Sequence, residues 1–315
     1  MSFLRLGTRG SHLALVQSRT IKAKLESDGS TVVELEVIRT KGDANLLEPL
    51  PAIGGKGLFT QELDQAILDK RIDLAVHSLK DLPTELPDGL CLAAVPARVD
   101  YRDVLVGSRG ERITLASLKK GSVVGTSSLR RAALLRAFRK DIECRSIRGN
   151  VDTRISKVDN GSYDAVILAA AGLIRLGIED RAMEWLDITS WLPAPGQGAL
   201  GIITRIDDAE TLSLVKSLND QYTQLAVNAE RVLLENLGGG CQVPIGALGV
   251  THGDIIRLRG LVVSCDGTKM VRGDITGSAI DPREVGVRLA NILKQQGAEV
   301  ILREVFDSFS KDHPN

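Results

Sequence analysis

The stretch Ile72-Asp-Leu-Ala-Val-His77-Ser-Leu-Lys80-Asp81-Leu-Pro83 decides the fold. Its first half, Ile72–His77, is short, apolar and closed by polar residues, which reads as a buried strand. Working backwards, Leu63 and Ile67 sit four apart on a helix that ends near Lys70, after a glycine cluster at 54–57. Val32–Ile38 is rich in β-branched residues and alternates with Glu34 and Glu36, as a strand does. Phe3–Leu6 reads as another short strand. Ser11 then caps a helix to about Glu26, with Leu13, Val16, Ile21 and Leu25 at rough helical spacing. Strand, helix, strand in alternation predicts a parallel sheet with helices on its faces.

The pattern restarts after Arg98–Asp103. Ser122–Gly125, Glu143–Ile147 and Asp164–Ala169 read as strands, and Ser128–Phe138, Val151–Val158 and Gly172–Leu176 as helices. Leu192-Pro-Ala-Pro-Gly-Gln-Gly198 punctuates the chain as a domain crossing, and Ala199–Ile206 reads as one more strand. From about Leu218 the texture changes. A helix over Leu225–Leu237 runs into Gly238-Gly-Gly-Cys241; strands at Ile255–Val263 and Lys269–Thr276 and a helix at Pro282–Gln295 suggest a small α+β domain.

Composition narrows the function. The chain has 315 residues, 43% apolar and 25% charged, enough for two or three domains with substantial cores. Forty basic and forty acidic side chains cancel, so nothing global favours nucleic acid or an anionic membrane. Aromatics, at 3%, are too few for single-strand stacking platforms. No run of about 18 apolar residues offers a membrane span, and the start has no long apolar signal region. The cysteines (91, 144, 241, 265) and histidines (12, 77, 252, 313) are scattered, which argues against a metal site and a disulfide framework. A cytoplasmic enzyme is the expectation.

Two familiar patterns fail on context. Gly196-Gln-Gly-Ala-Leu-Gly201 has the dinucleotide-binding spacing, but prolines precede it and a strand follows. Gly55-Lys56-Gly57 lacks the hydroxyl residue after the lysine that a phosphate loop needs.

Four constellations survive. Gly7-Thr-Arg9-Gly-Ser11 and Gly125-Thr-Ser-Ser128-Leu-Arg130-Arg131 both place hydroxyls and arginines where a strand gives way to a helix. Free amides and guanidiniums bind carboxylates or phosphates there. Simple capping with solvated arginines explains one such site equally well; two, with Arg145, Arg148 and Arg154 in nearby turns, favour a polycarboxylate ligand. Lys80 and Asp81 follow the buried strand at its carboxyl end, where ligands of open α/β sheets bind. There the carboxylate can exchange protons or hold a developing cation, or it is an exposed turn ion pair of little consequence. Cys241 follows three glycines that leave room beside the thiol, although a lone cysteine is more often packing. Cys91 and Cys144 read as packing, and Cys265, before Asp266-Gly267, as a hairpin-turn residue.

Together these segments resemble the porphobilinogen deaminase (hydroxymethylbilane synthase) family. The match runs in register through Gly7–Ser11, Gly54–Phe59, His77–Pro83, Gly125–Arg131, Arg148-Gly-Asn150, Leu192–Gly198 and Gly239-Gly-Cys-Gln-Val-Pro244. The resemblance implies two similar periplasmic-binding-protein-like α/β domains (1–98 with 197–217, and 103–193), with the active site between them, and a small α+β domain (218–315) carrying the cysteine. It implies a transferase of porphyrin and heme biosynthesis that joins four porphobilinogens head to tail, with loss of ammonia, into hydroxymethylbilane. A dipyrromethane primer would be held by a thioether at Cys241. Asp81 would be catalytic, assisting departure of the aminomethyl nitrogen and stabilising the cationic centres that follow. Lys80, Asp81, Ser128, Arg130, Arg131 and Arg154 would hold the cofactor, and Arg9, Ser11, Phe59, Arg148, Arg175 and Gln197 the substrate and growing chain. A monomer without metal, nucleic acid or membrane partner is expected. His12 stands where many relatives have proline, and Asp152 where many have a small residue.

Two other readings remain. A sensor closing on an organic anion would share the arginine sites but leaves Cys241 unexplained. A thiol hydrolase would want a histidine partner that the sequence does not visibly supply.

Overall fold

A computed structural model describes residues 1–40, 60–110, 112–238 and 243–312, the side chains of 308–312 excepted. The first stretch forms β1 (Ser2–Thr8), α1 (His12–Leu25), β2 (Thr31–Val37), α2 (Gln61–Leu68), β3 (Leu74–Ser78) and β4 (Leu90–Ala94). Next come β5 (Asp103–Gly107), β6 (Val123–Gly125), α3 (Leu129–Phe138), β7 (Glu143–Arg145), α4 (Val151–Asp159), β8 (Ala165–Ala169), α5 (Ala170–Leu176) and β9 (Glu184–Trp185). The chain continues through β10 (Leu200–Arg205), α6 (Ala209–Lys216) and α7 (Gln221–Asn236). It closes with β11 (Ile245–His252), β12 (Ile255–Val263), β13 (Met270–Ser278), α8 (Pro282–Gln295) and α9 (Ala298–Asp312). Two compact units result: residues 1–99 with 199–224, and residues 100–198 with 225–315.

The first unit holds the sheet β2-β1-β3-β10-β4. β1 pairs in parallel with β2 and β3, as the strand–helix–strand rhythm predicts. β10 arrives from far along the chain and runs antiparallel to β3 and β4, so the sheet is mixed rather than parallel. Local rhythm carries no information about such a remote partner. The second unit repeats the plan as β7-β6-β8-β5-β9, with β5 antiparallel to β8. Alternation gives this sheet two apolar faces. Val104, Val106, Val166 and Leu168 pack with Ile147, Ile155 and Val158. Leu105, Ala165 and Ile167 pack with Leu134 and Leu135 of α3, and this core runs on into Leu248, Leu261 and Val263 of the three-stranded sheet β11-β12-β13. The far face of that small sheet buries Leu289 and Leu293 of α8 against Leu233 of α7. Each fully buried leucine contributes roughly 1.5–3 kcal/mol.

Both registers have the same consequence. Leu200 of β10 lies opposite Ser78, and Asp103 of β5 opposite Ala169. An antiparallel strand begins where its parallel neighbours end. It therefore delivers its first residues to the carboxyl edge of the sheet.

Candidate active site

The candidate residues fall into two groups, one in each unit. In the first unit, β1 ends at the turn carrying Arg9 and Ser11. Ser11 caps α1, its Oγ accepting from the Ala14 amide at 3.3 Å. That hydroxyl keeps its own hydrogen for an anion, so capping and binding are compatible. His12 is the first, exposed residue of α1. β3 ends in His77 and Ser78, and Gln17 Nε2 of α1 donates to Ser78 Oγ at 3.0 Å. The His77 imidazole is buried, with Nε2 unpartnered among the described residues. Burial first, then the nearby Arg9 charge, pull it down to about 4, which keeps it neutral at pH 7.

A 3-10 turn, Leu79–Asp81, follows. It is pinned by its apolar members: Leu79 and Leu82 are buried, and the Leu79 amide donates to Ala199 O at 3.0 Å. Pinning those two leaves Lys80 half-buried and Asp81 exposed. The Asp81 carboxylate has no hydrogen bond or ion pair among the described residues.

In the second unit, Ser128 caps α3, its Oγ accepting from the Arg131 amide at 3.4 Å. Arg130 and Arg131 occupy the first turn, where the helix dipole disfavours positive charge. Both are buried, and their counter-charge is Asp103. Arg131 Nε and Nη2 and Gln197 Nε2 converge on Oδ1 at 3.1, 2.8 and 2.8 Å. Arg130 Nη1 and Trp191 Nε1 reach Oδ2 at 2.8 and 2.9 Å. Burial alone would push this carboxyl up, but the two guanidiniums hold it far below the usual carboxylate range. Burial pulls Arg130 down, with Asp103 opposing.

The sequence suggested two arginines free to clamp a ligand; the fold commits part of their capacity to an internal aspartate. The remainder is informative. Arg130 Nε is buried without a hydrogen-bond partner among the described residues. Arg148 is half-buried, its guanidinium unengaged among the described residues. Arg154 Nε folds back onto Gly149 O at 2.8 Å. Gly149 has φ +111, and a Cβ there would meet Thr153 at 2.7 Å, so this turn requires glycine. Arg175 donates to Gly198 O at 2.8 Å, and burial pulls it down to about 10, still charged at pH 7. Asp152 is exposed in the first turn of α4, a favourable place for an acid. Arg145 stands apart, exposed and paired with Glu143 at 2.7 Å. The pattern at 196–201 leads into β10, not a helix, so the dinucleotide reading fails in three dimensions too. Phe59 and Cys241 lie outside the described residues.

Two residues escaped the sequence reading. Asp103, in Tyr101-Arg102-Asp103-Val104, looks like a turn acid; its only local signal is its place before an apolar run. Glu230, mid-helix in α7, looks like a solvated residue yet is fully buried.

Basic and hydroxyl groups stand at strand ends in both α/β units, donors of the kind that bind organic carboxylates. A family model described as "Porphobilinogen deaminase, dipyromethane cofactor binding domain" matches residues 4–213, and "Porphobilinogen deaminase, C-terminal domain" matches 224–295. The porphobilinogen deaminase of Syntrophobacter fumaroxidans is 48% identical over 96% of this chain and 98% of its own. That of Brevibacillus brevis is 49% identical over 96% and 97%, and that of Roseiflexus sp. 50% over 95% and 98%. An ABC-transporter periplasmic substrate-binding protein from Coxiella burnetii superposes with a TM-score of 0.44 at 14% identity, covering 68% of this chain and 91% of that one; a likeness at this level says nothing of the site. The chain belongs to the porphobilinogen deaminase family. The donor set fits a carboxylate-bearing dipyrromethane: Asp103 leaves Arg130 Nε unmet, and Arg148 and the Ser128 hydroxyl retain donors.

Proposed function

We propose that this chain joins four porphobilinogen molecules head to tail, with loss of ammonia, into hydroxymethylbilane, and that Asp81 is its proton-handling residue. Family membership over nearly the whole chain supports the transferase activity. The observation that carries the catalytic assignment is the exposed Asp81 carboxylate, unengaged among the described residues and next in sequence to Lys80, on a turn fixed by Leu79 and Leu82.

Asp81 delivers a proton to the departing aminomethyl nitrogen, so that ammonia leaves. Its carboxylate then faces the positive charge left on the substrate ring and lowers the energy of that charge. It finally accepts the proton displaced from the new ring junction, returning to its starting state. Bound through a thioether at Cys241, dipyrromethane supplies the pyrrole carbon on which the chain is extended. The family match at Gly239-Gly-Cys-Gln-Val-Pro244 supports Cys241 as the anchor; burial pushes the thiols of Cys91, Cys144 and Cys265 up, which disfavours them as nucleophiles.

Lys80, Ser128, Arg130, Arg131 and Arg154 hold the cofactor carboxylates. Arg9, Ser11, Arg148 and Arg175 hold those of the substrate and growing chain, and Phe59 lies against the reacting rings. Gln197 acts as a brace, because both hydrogens of its Nε2 already go to Tyr101 O and Asp103 Oδ1. The same reading gives three domains (1–98 with 197–217, 103–193, 218–315) and a cytoplasmic monomer.

The test is incubation with porphobilinogen. One ammonia released per porphobilinogen consumed, with a linear tetrapyrrole as product, is the expected result. Binding without ammonia release would favour the sensor reading.

A further inference from the structure

The segment Leu192–Gly198 touches more of the cationic cluster than any ligand-facing loop described above. Leu192 O accepts from Arg130 Nη1 at 2.7 Å, and Gly198 O from Arg175 Nη2 at 2.8 Å. Between them, Gln197 bonds Asp103 at 2.8 Å and accepts from Arg131 Nη2 at 3.4 Å. Three guanidiniums therefore take their positions from seven residues of irregular backbone. Such a segment needs an external anchor, since it has no ladder of its own.

That anchor is Glu230 of α7. Its Oε2 accepts from the Gly196 amide at 2.6 Å, and its Oε1 from the Gly249 amide of β11 at 2.8 Å. The carboxylate is fully buried. β11 adds a second tie, the Ala247 amide donating to Pro193 O at 2.9 Å. The approach is close: a Cβ on Gly249 would lie 2.7 Å from Ala226 O of α7, so helix and strand meet backbone to backbone.

We propose that Glu230 is a positioning residue for the reaction. Its carboxylate fixes the 192–198 segment against α7 and β11, and through that segment sets Arg130, Arg131 and Arg175. This rests on the reading of those arginines as carboxylate-binding groups. Two acceptor oxygens are required, one for each amide. Glutamine supplies one acceptor and turns an NH2 group against the other N–H. The segment then shifts, and the arginines shift with it.

The experiment compares Glu230→Gln and Glu230→Asp with Leu289→Ala, a core truncation on α8 that serves as a stability control. Melting temperature, porphobilinogen KM and kcat, and uptake of covalent primer by apoprotein, followed by intact mass, are measured together. Glu230→Gln is expected to raise KM and slow primer uptake about tenfold, the scale of one misplaced charge-assisted contact. Glu230→Asp, which keeps both oxygens on a shorter stem, should fall between it and the unsubstituted protein. Leu289→Ala should lower the melting temperature and leave KM and uptake unchanged. If both Glu230 variants lose only melting temperature, or if Leu289→Ala moves KM equally, Glu230 is a packing residue and the proposal is overturned. If the unsubstituted protein neither takes up primer nor releases ammonia, the functional reading itself fails and this inference with it.

Discussion

The two five-stranded lobes are built to one plan and use their carboxylates in opposite ways. Each has three parallel strands, then an antiparallel strand, β10 or β5, that begins at the carboxyl edge. In the second lobe that strand begins with Asp103, buried and met by five nitrogen donors. In the first it begins with the apolar Leu200, and the acid sits instead on the pinned turn after β3, exposed as Asp81. A carboxylate saturated by its own protein organises cations. One without partners among the described residues is open to exchange protons with a ligand. Position in the topology therefore does not assign chemistry; the number of donors already satisfied does.

The most severe change is expected at Cys241. Cys241→Ala should abolish the covalent adduct and all turnover, whereas Cys91→Ala keeps both; an adduct mapped by peptide mass to another cysteine would break the assignment. Within the comparison, Asp103→Ala should cost about 3–5 kcal/mol in denaturant unfolding, because it strands two buried guanidiniums. Asp81→Asn should change stability by no more than about 0.5 kcal/mol, as exposed substitutions do. Equal stability losses at the two positions would erase the distinction.

Acid should separate the lobes as well. His77 has a folded pKa below its ordinary 6.5, at about 4. The unfolded chain therefore takes up a proton first, and the stability His77 contributes is full above 6.5 and lost as pH falls toward 4. The loss amounts to roughly 3 kcal/mol. Asp103, held below its ordinary 3.8, contributes stability that is lost only as pH falls below that value. Unfolding free energies of His77→Asn and the unsubstituted protein between pH 7 and 4 should converge; parallel curves would remove His77 as the cause. The smallest effect is at Arg148. Lysine keeps the charge and loses the planar fork, so Arg148→Lys should raise KM about tenfold. An unchanged KM would show that a point charge suffices.

Much of this was legible locally. Ser11 and Ser128 announce helix starts because a hydroxyl precedes an apolar period, and both cap in the structure. Ile255–Val263 matches its strand, and Pro282–Gln295 its helix, because alternation and an N-terminal proline are short-range signals. β11 went unread because Gly246 and Gly249 look like loop, whereas they are there for close packing on Leu192 and Ala226. The short helix α6 and the C-terminal α9 also went unread. Asp103 was missed for a different reason: its partners lie 28 and 94 residues away, and only the antiparallel entry of β5 brings them together. Charges that look free along the chain are committed by pairings that no local window contains.

The central claim is that Asp81, not Asp103, handles the protons. Single-turnover ammonia release by folded, primer-loaded Asp81→Asn and Asp81→Glu tests it most directly. The asparagine keeps shape and loses both charge and proton exchange, so it should fall by at least about a hundredfold. The glutamate, a displaced carboxylate, should retain measurable release. Asparagine turning over as well as glutamate would contradict the account, leaving Asp81 a turn residue.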